Sequence, residues 1–191
     1  MSRSRRTLLA RLPNLRLLVT TGMRNAAIDL AAAADHKVTV CGTESGQSAT
    51  AELAMGLILS LARSIPYEAI AMRQGAWQTT VGIELKGRTL GLLGLGKLGS
   101  QVARYGQAFG MPVIAWSENL TDERAKAAGV ERVSKDDLFR RADVLSIHTV
   151  LSPRTRGLVG SRELSLMKPA ALLVNTSRGP IIDTQALLAT L

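Results

Sequence analysis

Between residues 87 and 99 the chain reads Gly-Arg-Thr-Leu-Gly-Leu-Leu-Gly-Leu-Gly-Lys-Leu-Gly, an apolar run that feeds straight into glycines spaced G-x-G-x-x-G. Thr89 to Leu93 has the composition of a buried strand, and the segment after Gly99, with Val102 and Ala103, that of a helix. In such a unit each glycine has a mechanical reason. Gly94 permits the tight turn out of the strand, Gly96 lets the backbone approach a pyrophosphate with no Cβ in the way, and Gly99 allows close packing of helix on sheet. The helix start then offers free N–H groups and a partial positive charge to phosphates. A glycine pattern alone is weak evidence. Flanked by a strand, a helix and a second strand ending at Trp116, it predicts a dinucleotide-binding turn.

The rest of the chain repeats the same alternation. Short β-branched or leucine-rich runs at residues 15–20, 37–41, 89–93, 112–116, 143–148 and 171–175 predict strands, with helical patterns between them. Thr121 ahead of Asp122 and Glu123 marks a helix start and Gly129 its exit; Ser134 with Asp137 repeats the start signal. Ser161 with Glu163 opens another short helix that Pro169 ends. The longest helix should cover residues 50–64, with Leu53, Ala54, Leu57, Ile58 and Leu61 on one largely buried face, followed by a loop over residues 75–87. Strands feeding helices in series predict an α/β fold with a doubly wound, Rossmann-like parallel sheet.

Composition narrows the classes further. Apolar residues make up 46% of 191, enough for a real core. The longest apolar stretch, residues 53–62, is about half of the roughly 20 needed to span a bilayer and is interrupted by Ser60, so no membrane partner is expected. One cysteine, Cys41, makes neither an internal disulfide nor a multi-thiolate metal site; it reads as a small buried hydrophobe, and a reducing, cytoplasmic compartment fits. The net charge of +9 comes from scattered Lys and Arg, and aromatics are 3%, which argues against nucleic acid. Arg3, Arg5, Arg6, Arg11, Arg16 and Arg24 precede the first acid, Asp29, and read as a solvated terminus rather than an import signal.

The tip of the strand ending at Trp116 should meet the adenosine ribose, where an acid would favour NAD. Ser117 holds that position and Glu118 lies one residue on. With no adjacent arginine to anchor a 2′-phosphate, NAD is favoured and NADP left open.

Taken in order, several segments resemble the D-isomer-specific 2-hydroxyacid dehydrogenase family over nearly the whole chain. They are Leu18-Val19-Thr20-Thr21-Gly22-Met23-Arg24-Asn25 with Ile28-Asp29, Ala51-Glu52-Leu53, Gly75-Ala76-Trp77, Ala142-Asp143-Val144 through His148-Thr149, Thr155-Arg156-Gly157-Leu158, and Leu173-Val174-Asn175-Thr176-Ser177-Arg178-Gly179. The resemblance implies hydride transfer between a nicotinamide cofactor and C2 of a small 2-hydroxy or 2-oxo acid. It implies that Gly22, Met23 and Arg24 meet the substrate carboxylate. Lys97 and Leu98 would face the pyrophosphate, and Thr149, Thr176, Ser177 and Arg178 the nicotinamide half, with Arg178 also the catalytic, substrate-orienting arginine. His148 matches a strand end beside the cofactor, since the family's catalytic histidine lies in a later segment; His36 reads as solvated. Gly75-Ala76-Trp77 resembles a segment near a subunit contact, implying a homodimer.

By the same resemblance, residues 1–45 are the last part of a flavodoxin-like substrate-binding domain and 46–191 a dinucleotide-binding domain without its C-terminal end. No residue here matches the family's catalytic Glu and His pair, so the 191 residues alone are expected to lack turnover. The competing reading is a non-catalytic, NAD-sensing interaction module of the corepressor type, which a fold alone does not exclude.

Overall fold

The computed structural model describes residues 8–23, 25, 27–44 and 48–191, and the chain divides into two compact units, residues 1–47 and 48–191. In the first, β1 (Leu17–Thr20) pairs in parallel with β2 (Thr39–Gly42), joined through α1 (Leu30–Asp35). Asp29 caps α1 by accepting from the Ala32 amide at 3.0 Å, and Ala32, Ala33 and Val38 are buried. Cys41 is exposed, not buried as its type predicts. The register explains it: Cys41 sits opposite Val19, and Leu17, Val19, Thr39 and Cys41 share the exposed face of the ribbon.

The second unit carries α2 (Ala49–Ala62), α3 (Ile65–Arg73), β3 (Leu90–Leu93), α4 (Lys97–Ala108), β4 (Val113–Trp116), α5 (Asp122–Ala127), β5 (Glu131–Arg132), α6 (Lys135–Arg141), β6 (Val144–Ile147), α7 (Ser161–Leu166), β7 (Leu172–Asn175) and α8 (Thr184–Thr190). Its five strands lie in the order β5-β4-β3-β6-β7, all parallel. Alternation along the strands builds two cores. Leu90, Leu92, Val113, Ala115, Val144 and Val174 pack with α2 and α4, whereas Leu93, Ile114, Leu145 and Ile147 pack with Leu138 and Phe139 of α6, Leu164 of α7 and Ala186 of α8. This is the doubly wound Rossmann-like sheet expected from the strand spacing. Six strands were legible as apolar runs; β5, two exposed polar residues, carries no such signal.

The helix ends follow local chemistry. Thr121 Oγ1 accepts from the Arg124 amide and Ser134 Oγ from that of Asp137, capping α5 and α6 with acids in each first turn. Gly129 takes φ +65° where the chain leaves α5. For α7 the cap is Gly160, one residue before Ser161, and its N–H donates to Glu163 Oε2 at 3.0 Å.

α2 corrects the expected face. Ala51, Ala54, Met55, Ile58 and Ala62 are buried, while Leu53, Leu57 and Leu61 are 57%, 39% and 49% exposed. The helix is apolar almost all round, so periodicity finds a stripe without saying which side packs; the small residues do, because they permit close approach to α4 and β7. Beyond α3, Glu68 holds the loop. Its carboxylate accepts from the Thr80 hydroxyl at 2.6 Å, the Thr79 amide at 3.1 Å and the Thr79 hydroxyl at 2.9 Å, which keeps its pKa down at about 2. Among the described residues no single helix is long and apolar enough to cross a membrane.

Candidate functional site

Sheet register assembles the site. Trp116, Leu93, Ile147 and Asn175 stand in one row across β4, β3, β6 and β7, so the residues that follow them, Ser117, Gly94, His148 and Thr176, leave the sheet side by side at its carboxyl edge. From β3 the chain winds outward to β4 and β5, then crosses back to β6 and β7. The reversal falls between β3 and β6, the place where doubly wound sheets bind ligands.

The glycine turn is built as its spacing requires. Gly94 has φ +107°, and a Cβ there would lie 2.9 Å from the His148 carbonyl carbon and the Thr149 nitrogen. At Gly99 a Cβ would run into the Gly94 carbonyl oxygen, so α4 begins directly against the turn. Gly96 is different: it is exposed, takes φ −88° as the N-cap of α4, and has nothing within 4 Å of its Cβ position. No side chain among the described residues caps α4, and its first turn holds no acid, in contrast to α5 and α6. A helix of 12 residues thus presents its positive end, unneutralised, at the mouth of the crevice.

An open cavity of about 320 Å³ lies over this edge. Among the sequence candidates it gathers Gly94, Gly96, Ser117, Glu118 and Thr149, with His148 on its wall. Lys97 lines a neighbouring groove along α4 and α5; Leu98 is half-buried and Gly99 buried beneath the turn. Thr176, Ser177 and Arg178 do not line the cavity but stand at the adjoining end of β7. There Asn175 ties the turn at both ends: Oδ1 accepts from the Ser177 amide at 2.9 Å, and Nδ2 donates to the Arg178 carbonyl at 3.0 Å. Arg178 is exposed, and Nη1 donates to the Ser177 carbonyl at 2.9 Å.

His148 is buried, with Nε2 2.9 Å from Ser146 Oγ. Burial lowers its pKa to about 4, so the ring is neutral at pH 7 and is not an imidazolium acid. Nδ1 of His148 and Oγ1 of Thr176 are buried without a hydrogen-bond partner among the described residues. Two orphaned polar atoms at neighbouring strand ends are where a bound polar group would complete the bonding.

In the first unit, Gly22 has φ +81°, and its N–H donates to Thr43 Oγ1 at 3.4 Å. A Cβ on Gly42 would sit 2.8 Å from the Gly22 oxygen, so the two loops meet closely. Met23 is 75% exposed, and Arg24 lies outside the described residues.

The model of the D-isomer specific 2-hydroxyacid dehydrogenase NAD binding domain matches residues 55–191. The chain belongs to the D-isomer-specific 2-hydroxyacid dehydrogenase family. The chain is 41% identical to glyoxylate reductase of Aeropyrum pernix over 96% of its own length and 58% of that relative's. It superposes on phosphoglycerate oxidoreductase from Vibrio cholerae with a TM-score of 0.90 at 39% identity, covering 95% of this chain and 59% of that one. D-lactate dehydrogenase from Aquifex aeolicus, solved with NAD and lactic acid, gives 0.78 at 30% identity, covering 96% and 56%. The chain thus spans little more than half of each of these relatives. Its second unit is an NAD-binding domain, and the uncapped α4, the open face of Gly96 and the orphaned strand-end atoms fit that cofactor.

The sequence reading missed Asn119, Arg124, Ser152, Arg154 and Thr155, which also line the cavity. Arg124 belongs to α5, and the others follow β4 or β6; their common destination depends on strand order, which no local pattern reports.

Proposed function

We propose that the protein carrying this chain interconverts a small 2-oxo acid and its D-2-hydroxy acid at C2, of the glyoxylate, hydroxypyruvate, phosphoglycerate or lactate type. The observation that carries the reading is the row of strand ends, with Arg178 beside the crevice and its guanidinium engaged, among the described residues, only by the Ser177 carbonyl. NAD, when bound, supplies or takes up the hydride. The chain's own part is positioning. Gly94 and the open N-terminus of α4 receive the pyrophosphate, with Lys97 and Leu98 in its first turn. Ser117 and Glu118 meet the ribose, and Thr149, Thr176 and Ser177 border the nicotinamide half. Gly22, Met23 and Arg24 of the first unit, read as part of a substrate-binding domain, receive the carboxylate.

Arg178 is proposed to orient that substrate and stabilise negative charge on the C2 oxygen, because its planar fork reaches carboxylate and carbonyl oxygens together. In the full-length gene product, Arg178→Lys is expected to retain NAD affinity and lose about 10²- to 10³-fold in kcat, the usual cost of removing one oxyanion donor. Steady-state oxidation of NADH across a panel of 2-oxo acids checks both statements. Undiminished turnover by the lysine variant would remove Arg178 from the mechanism, and no turnover with any acid would remove the reaction. No observation here favours the corepressor reading.

A homodimer is also proposed, formed through the apolar stripe of α2 and the segment beyond it. Leu53, Leu57 and Leu61 at i, i+4 and i+8 of α2 are 57%, 39% and 49% exposed, and Ile65 and Trp77 beyond it are 51% and 76% exposed, more large apolar surface than a monomer usually leaves in water. Sedimentation of the full-length protein is expected to show a dimer that Leu57→Glu converts to monomer with unchanged circular dichroism. A wild-type monomer at micromolar concentration would overturn it.

A further inference from the structure

Ser146 has an unusual place for a polar residue. It lies in β6, between β3 and β7, where Val144, Leu145 and Ile147 are, like Ser146 itself, fully buried. A hydroxyl in such a strand is costly unless it is hydrogen-bonded. Its one partner among the described residues is His148, two positions on and so on the same face, with Oγ 2.9 Å from Nε2. His148 is 8% exposed, lines the cofactor cavity and leaves Nδ1 buried without a partner among the described residues. Its side chain also stands against the glycine turn, since a Cβ on Gly99 would come within 3.7 Å of His148 Cβ.

The protons available fix how the pair is arranged. The ring is neutral, so one nitrogen carries a proton and the other a lone pair. If Nε2–H donated to Ser146, the serine's own proton would have no acceptor among the described residues, and Nδ1 would be a buried lone pair as well. With Ser146 donating to Nε2, only Nδ1–H is left waiting. We propose that Ser146 is a positioning residue that fixes His148 in the tautomer with its proton on Nδ1, so that the cavity wall offers the bound dinucleotide an uncharged N–H donor. The inference rests on the cofactor site described above. An oxygen-rich ligand accepts from an N–H and is repelled by a lone pair, so the same ring in its other tautomer would face the dinucleotide with the wrong group.

Nitrogen-15 NMR of the 191-residue chain at pH 7 reads the tautomer directly, because the chain has two histidines and the other, His36, is exposed. The expected spectrum has the His148 proton on Nδ1 and Nε2 bare, a result that needs no variant. Ser146→Ala should move part of the proton to Nε2 and weaken NAD about 3- to 10-fold in calorimetric titration, the worth of one hydrogen bond. Ser146→Thr keeps the hydroxyl and should restore both tautomer and affinity; circular dichroism checks the fold of each variant. A serine that only filled space would leave the tautomer unchanged in a folded alanine variant. That outcome, a proton on Nε2 in the wild type, or an unchanged NAD Kd after the proton has moved would overturn the inference. Failure of the wild-type chain to bind NAD would overturn the cofactor site as well, and is told apart because the tautomer is read without ligand.

Discussion

Gly96→Val is expected to remove most NAD binding from a protein that still folds. The position is exposed, its φ of −88° is ordinary for an L-residue, and nothing lies within 4 Å of where the Cβ would go. Poorer N-cap preference costs about 1 kcal/mol, against a domain stability of about 5–15 kcal/mol. The binding side is far more sensitive. The branched side chain occupies the space through which a pyrophosphate reaches the first amides of α4. Losing two charge-assisted hydrogen bonds amounts to about 3–6 kcal/mol, or about 10²- to 10⁴-fold in Kd. Calorimetry beside a thermal melt checks it. An unchanged Kd in a folded variant would mean that the phosphates bind elsewhere.

Gly99→Ala is expected to do the reverse damage, to the fold first. Two effects oppose each other. Alanine inside a helix gains about 1 kcal/mol over glycine. Against that, the new Cβ would collide with the Gly94 carbonyl oxygen, and neither side can yield cheaply: Gly94 is hemmed in on its other side, where even a Cβ would lie 2.9 Å from the backbone of His148 and Thr149. Overpacking a well-filled interior costs typically 1–3 kcal/mol and occasionally more, and here, where the obstacle is backbone rather than a side chain, the cost is about 3–4 kcal/mol. We expect a net loss of about 2–3 kcal/mol, a fall of roughly 4–12 °C in Tm for a chain of this size. An equal or higher melting temperature would show that α4 can lift off the turn without loss.

These two glycines also mark what a sequence can and cannot disclose. The turn, its flanking strands and the caps at Thr121 and Ser134 were legible because each is decided within a few residues, by conformational freedom or a single side-chain bond. The packed side of α2 was not: Leu53 and Ala54 are both apolar, and only the proximity of α4 and β7 selects the alanine face. Cys41 failed for a similar reason, since its exposure is set by the register of β1 with β2. Within the cavity, Ser117 and Glu118 could be found from their distance to the glycine turn. Arg124 and Arg154 could not, because α5 and the segment after β6 meet only once the strand order is known.

The strand-end row bears on how a domain of this family can change its ligand preference. Position in the crevice is set by which strand residues pair, namely Leu93 with Trp116 and Ile147, and Ile147 with Asn175. Gly94 apart, the residues immediately beyond those pairs stand at the sheet's edge, and swapping one of their side chains leaves the backbone ladder beneath it in place. A one-residue slip of a strand would instead turn its whole buried set over to the opposite face. Diversification along such an edge therefore proceeds by replacing termini one at a time on a fixed frame, so catalytic preference can drift by single substitutions while the architecture is inherited unchanged.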